Sequence, residues 1–208
     1  MDVWNVARAV FRGPKTARFR VHHGAQQKHY VEWKYKMLQG LVAGSPREIT
    51  RYDRKRGLYE TSWYFHTTSR KELSLLHNWF YPGGGRKQLP KYLESVLTPP
   101  MLAVWYMDDG NYTGTSCTLN THSLSLGEQQ RVMKMLKKLC GISCTLVKDR
   151  HQYKINIRKK YVSAFMNVVA PHIIVPMSYK IAYPRNDLLS QSGVAAAETS
   201  LVQLTRQL

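Results

Sequence analysis

"LTPPMLAVWYMDDG", residues 97–110, decides how the rest of the chain is read. Thr98 suits a helix cap, and proline at 99 and 100 suits a first turn, where the missing N–H has no helical partner to lose. An apolar run from Met101 to Met107 follows, and then Asp108, Asp109 and Gly110. A helix C-terminus already carries partial negative charge, so two carboxylates there call for something positive. A divalent cation is the natural candidate, because hard cations take carboxylate oxygens and keep waters and substrate phosphates as their other ligands. A plain solvated helix end is the competing reading, and the three residues alone do not choose between them.

Composition narrows the partner. The chain has 208 residues, 43% of them hydrophobic, enough for a real core. Against 31 Lys+Arg stand only 13 Asp+Glu, a formal charge of +18. Such an excess repels itself unless a polyanion screens it, and nucleic acid is the obvious polyanion. A membrane surface competes, but no run of about 18 apolar residues could span a bilayer. Cys117, Cys140 and Cys144 are odd in number and lack paired spacing. That argues against a disulfide framework and a zinc site, and for a reducing, intracellular compartment. The Arg-rich start "MDVWNVARAVFRGPKTARFRV" is compatible with an organellar transit peptide, although its Phe/Val/Arg alternation fits a strand better.

Working outward, the same order of elements occurs twice. "ARFRVHH" (17–23) alternates as a strand, and 26–40 reads as a helix with Tyr30, Trp33, Met37 and Leu38 on one face. Two strands follow around a turn at "RKRG", and then a helix opens at Ser69 with Glu72 as its capping box. Three glycines in "YPGGGRKQLP" break the chain. After the helix ending in Asp109 come a strand at "TSCTLNTH" and a helix capped by Ser125 and Glu128 and closed by Gly141. A hairpin of "SCTLVKD" and "QYKINIRK" and a last helix ended by Pro171 complete the order. The period is about 90 to 100 residues.

These stretches, together with "TLNTHSLSLGEQQRVMKMLKKLCGISCTL" and "YKINIRKKYVSAFMNVVAPHIIVPMSYKI", resemble the LAGLIDADG homing endonucleases of the two-motif, intron-encoded type. The resemblance covers about residues 1 to 183. It implies an α+β fold of two pseudo-symmetric αββαββα repeats, with the first helix of repeat one absent here because nothing precedes Met1. It divides the chain into an N-terminal repeat at 1–97, a C-terminal repeat at 98–184 and an extension at 185–208. It implies Mg2+-dependent cutting of duplex DNA, with Asp109 as metal ligand and Asp108 as its structural neighbour. Lys180 of "SYKI" and Lys87 of "GRKQLP" are the basic assistants, and Asp2 is the remnant of the first motif's acid. It places Arg18, Arg20, His22, Arg51, Arg54, Tyr64, His66, Asn120, His122, Lys148, Arg150, Lys154 and Arg158 on strands lining a groove, where phosphate contacts fix register and base edges give specificity.

The match fails at its start. Without the first motif helix, the apolar side of "MLAVWYM" is uncovered and calls for a partner: another copy, a separate peptide, or a larger ribonucleoprotein assembly. Two main functions therefore stay open, with a DNA-binding regulator on the same fold as a third. One is a site-specific DNA endonuclease completed by a second acid, from Asp2 or from Asp109 of another copy. The other is an inactive derivative that grips structured RNA, as an intron-splicing maturase or an organellar ribosome component.

Overall fold

The computed structural model describes residues 16–182, so Asp2 and the extension at 185–208 lie outside the described residues. The first half contains β1 (Arg20–Gly24), α1 (Lys28–Met37), β2 (Arg47–Asp53), β3 (Leu58–His66) and α2 (Lys71–Phe80). A short α3 (Leu93–Val96) leads to α4 (Pro99–Asp109). The second half continues with β4 (Gly110–Tyr112), β5 (Cys117–Leu119), α5 (Leu126–Cys140), β6 (Thr145–Asp149), β7 (Gln152–Ile157) and α6 (Lys159–Val169). A 3-10 turn at Val175–Lys180 closes it.

Both sheets are antiparallel and share one topology. The first runs β1-β3-β2; the second runs β4-β5-β7-β6, the same order with β4 added at an edge. Counterpart elements stand roughly 90 to 100 residues apart, the period expected from the sequence. The fold is therefore α+β, built from two related halves.

The halves differ in how much they bury. Leu102, Trp105, Leu119, Val132, Leu136, Ile155 and Phe165 anchor a large core in the second half. Leu89 and Leu93 pack into that core although they precede the division expected at 97. The first half has a small core around Val21, Val31 and Phe65. A third cluster of Tyr30, Met107 and Met177 joins α1, α4 and the closing 3-10 turn, so it forms the seam between the halves.

Caps fix the helix limits. Ser125 accepts from the Glu128 N–H while Glu128 accepts from the Ser125 N–H, and Gly141 ends α5 at a φ of 68°. The box expected at Ser69 does not form. Arg70 holds the N-cap position of α2 in an extended conformation, without a side-chain cap. Its N–H bonds to the Ala17 carbonyl, and this bridge keeps the chain extended one residue past Ser69. In α1 the buried face is Tyr30, Val31 and Lys34, whereas Met37 is 68% exposed. The stripe expected from Met37 is thus rotated toward a lysine.

Candidate functional site

Helix α4 is nearly all apolar, and Leu102, Ala103, Trp105, Tyr106 and Met107 are buried. It passes straight into β4 at Gly110, and here the motif needs its glycine. A Cβ at Gly110 would stand 2.1 Å from Tyr106 Cδ2 and 2.4 Å from the Tyr106 carbonyl oxygen. The two acids end the helix just before that crossing. Asp109 is 1% exposed, and its carbonyl accepts from the Asn120 N–H at 3.0 Å.

Asp108 turns toward the first half. Its carboxylate is shut off from solvent, and the Lys34 ammonium donates to both oxygens at 2.8 Å. Lys34 also reaches His23 Nε2 at 3.1 Å and lies 4.1 Å from the centre of the Tyr30 ring. Burial pushes Asp108 up to about 6, against the opposing pull of Lys34. Burial likewise pushes Lys34 down, and burial together with Lys34 holds His23 at about 3, so its imidazole is neutral. A cation does offset a carboxylate at this helix end, and it is a protein side chain, Lys34.

Lys180 supplies the second. Its Nζ donates to the Gly110 carbonyl at 2.7 Å, and its own carbonyl accepts from the Tyr106 hydroxyl at 3.0 Å. Burial lowers its pKa, and Asp108 and Asp109 raise it. Lys87 lies in the wall of an apolar cavity of about 400 Å³ that Lys34 and Asp108 also line. Met101, Val104 and Trp105 of α4 line that cavity with Trp33, Phe80 and Leu97. This is the face of "MLAVWYM" that was expected to call for a partner.

The first sheet gathers Arg20, His22, Arg51, Tyr64 and His66 onto one face, while Arg18 lies two residues before β1. Arg20 pairs with His66, His22 and Arg47 flank Tyr64, and Arg51 pairs with Glu60. Paired residues in an antiparallel ladder share a face, opposite Val21 and Phe65 of the core. The His22 ring lies 6.1 Å from Tyr64, and the Arg20 guanidinium 5.3 Å from it. Burial and then Arg20 and Arg51 lower His22; burial and then Arg18 and Arg20 lower His66. Arg54 is in the exposed β2–β3 turn. Arg47, the first residue of β2, shares this face and was not singled out from the sequence.

The second sheet gathers fewer. Lys154 donates to Asp149 at 3.0 Å, and His122 lies 3.3 Å from the same carboxylate. Arg150 is in the β6–β7 turn with φ 57°, and Arg158 is the N-cap of α6. Asn120 follows β5 by one residue. Lys148 pairs with Tyr153, in phase with Leu146 and Ile155, so the strand puts it opposite to Lys154. The residues that sequence reading missed, Lys34 and His23, both point inward. Their signal was positional: Lys34 follows Tyr30 by four and Val31 by three, and His23 follows Val21 by two.

The cysteines take no part. Burial pushes Cys117 and Cys140 up to about 11 and Cys144 to about 12, so all three stay protonated thiols. Among the described residues, no group of three or more His, Cys, Asp or Glu gathers, and no helix is long and apolar enough to cross a membrane.

Known proteins are similar to this chain in sequence and in fold. In sequence, the chain is 29% identical over 184 residues to DNA endonuclease I-ChuI of Chlamydomonas applanata, covering 81% of this chain and 84% of that one. It is 26% identical over 176 residues to the cytochrome b mRNA maturase bI2 of Debaryomyces hansenii, covering 82% of this chain and 66% of that one. RecA proteins of Mycolicibacterium species also match, this chain spanning 40% of their length. In fold, it is similar to the homing endonuclease I-WcaI bound to its DNA recognition sequence, with a TM-score of 0.76 at 23% identity, over 84% of this chain and 79% of that one. I-DmoI in complex with DNA and Mn follows, with a TM-score of 0.50 at 14% identity, over 76% of this chain and 84% of that one. The model of the LAGLIDADG DNA endonuclease family matches residues 7–165, and the chain belongs to that family.

Proposed function

We propose that this chain binds duplex DNA through its basic strands and contributes half of a metal-dependent nuclease site at the end of α4. The observation that supports this most is the joint placement of Asp109 and Lys180 at one helix terminus, with Lys180 hydrogen-bonded to Gly110. Asp109 offers a hard carboxylate of the kind Mg2+ takes, and so fits the metal in kind. It falls short in number, because the described residues bring no cluster of further ligands to it. The second acid is Asp2 or Asp109 of another copy. When bound, the cation supplies Lewis-acid chemistry at a phosphodiester. Asp109 holds it, Lys180 and Lys87 are the basic assistants, and Asp108 is kept away from that task by its pairing with Lys34.

On this reading Arg18, Arg20, His22, Arg51, Arg54, Tyr64 and His66 meet DNA from the first sheet. Asn120, His122, Lys154 and Arg158 meet it from the second, with Arg150 at the far end of its hairpin, while Lys148 stands on the opposite phase of its strand. The relatives encoded as endonuclease and as maturase support an intron-linked, organellar origin. The test is cleavage of intron-insertion DNA with Mg2+ by the full chain and by Asp109→Asn. Loss of cutting with retained binding is expected; equal cutting by both proteins would end this reading.

Similarity to the cytochrome b mRNA maturase favours a second reading, in which the same basic faces hold structured RNA without cutting. Tighter binding to intron RNA than to any duplex DNA, at equal salt, would select it.

A further inference from the structure

The Lys34 ammonium has three N–H bonds, and the structure commits all of them. Two go to the oxygens of Asp108 and one to His23 Nε2. His23 Nε2 must therefore accept, which places the imidazole proton on Nδ1. Nδ1 lies 3.0 Å from Gln27 Oε1, an acceptor, as this tautomer requires. With its oxygen so used, the Gln27 amide nitrogen donates to the Tyr179 hydroxyl oxygen at 2.9 Å. Each donor in this chain meets an acceptor, and the direction is set at one end by a cation.

The chain ends at a surface. The Tyr179 oxygen accepts from Gln27, so its own O–H is left to donate, and the residue is 52% exposed. Tyr179 lines an open cleft of about 670 Å³ with Gln26, Gln27, Thr61 and Pro176. Glu60 also lines it, and its carboxylate pairs with Arg56. Lys180 is the next residue, its Nζ 5.9 Å from the Tyr179 ring centre. Accepting from Gln27 strengthens the Tyr179 O–H as a donor, against the opposing effect of burial and Asp108, and its best acceptor is an anionic oxygen.

We propose that Tyr179 is a backbone-phosphate contact for bound nucleic acid, its hydroxyl aimed and polarised by the Lys34–His23–Gln27 chain. This rests on the reading that nucleic acid lies against the end of α4. Lys34, His23 and Gln27 are positioning residues in it, and Tyr179 alone touches the ligand. No remote cation is removed when the phenol is lost, so the contact has a signature distinct from that of any Lys or Arg.

The test is titration of the full chain with a generic double-stranded DNA fragment at several salt concentrations. Tyr179→Phe, which keeps the ring, is expected to weaken binding about tenfold. The slope of log affinity against log salt stays that of the wild type, because no phosphate-neutralising charge has gone. Gln27→Leu is expected to weaken binding in the same direction, and adding it to Tyr179→Phe to cost nothing more. Nitrogen-15 spectra of the wild-type chain are expected to show His23 protonated on Nδ1, whether or not DNA is cut. Wild-type binding that Tyr179→Phe leaves unchanged overturns the contact alone, and additive losses or an Nε2-protonated His23 overturn the aiming chain. Absence of duplex binding by the wild type overturns the contact and the proposed function together.

Discussion

Lys34 and Val132 are repeat counterparts: each is the seventh residue of its helix, α1 and α5, and each is buried against its own sheet. His23 stands in the same relation to Leu119, since His23 pairs with Trp63 and Leu119 with Ile155, one alternation before Phe65 and Ile157. The second half fills these places with apolar side chains. The first half fills them with a cation and an imidazole, and Asp108 of α4 meets both. The seam between the repeats is thus polar at its centre and apolar around it.

That pair gives the first prediction. Lys34→Met leaves a carboxylate without its cation in a closed site, and should cost about 3–5 kcal/mol of unfolding free energy. Asp108→Leu alone should cost a similar amount by stranding the ammonium. Lys34→Met with Asp108→Leu should recover most of the loss, since removing a buried pair whole is often near neutral. Urea midpoints of the three proteins at neutral pH measure this, and additive losses in the double variant would contradict it.

Gly110→Ala should destabilise on the order of 3 kcal/mol. The new methyl meets Tyr106 ring and backbone together, so no rotamer change relieves it. Because the Tyr106 hydroxyl holds the Lys180 carbonyl, the displacement should also disturb Lys180. Thermal melting gives the first effect. Loss of duplex cleavage under conditions where the variant is still folded gives the second.

Glu128 should govern part of the acid stability. Burial raises its pKa, but bonds from the Ser125 hydroxyl and N–H, the Leu89 N–H and Arg86 outweigh burial and bring it to about 2. A carboxyl that ionises more readily when folded leaves the unfolded chain holding more protons. Its contribution is therefore full above about pH 4.5 and fades as pH falls toward 2. Glu128→Gln should flatten the stability curve across that window, and Glu128→Ala should cost roughly 1–2 kcal/mol at neutral pH through the lost cap. Denaturation midpoints between pH 2 and 6 decide it.

Arg20 and Arg51 share the outer face of the first sheet with His22 and Tyr64. If each neutralises one phosphate, each alanine substitution lowers the salt slope of duplex binding by about 0.9. Lys148→Ala, on the opposite phase of its strand, should change that slope less. Filter binding from low to moderate salt separates the three, and an equal effect of all three would remove the distinction between the faces.

Much of this protein follows from local rules that its sequence states outright. Proline after Thr98 starts α4, Ser125 and Glu128 start α5, Gly141 ends it, and the strand order repeats because the apolar alternation repeats. A helix ending in two acids and a glycine is also plain, and it marks the family. What the tertiary structure alone decided is which charges meet. Lys34 reads as one more lysine in a basic chain until α4 brings Asp108 to it from 74 residues away. Periodicity assigns a residue to the buried side of its own helix, but not the group that faces it there. Only the packing of one half on the other turned a lysine and a histidine at core positions into partners for an aspartate.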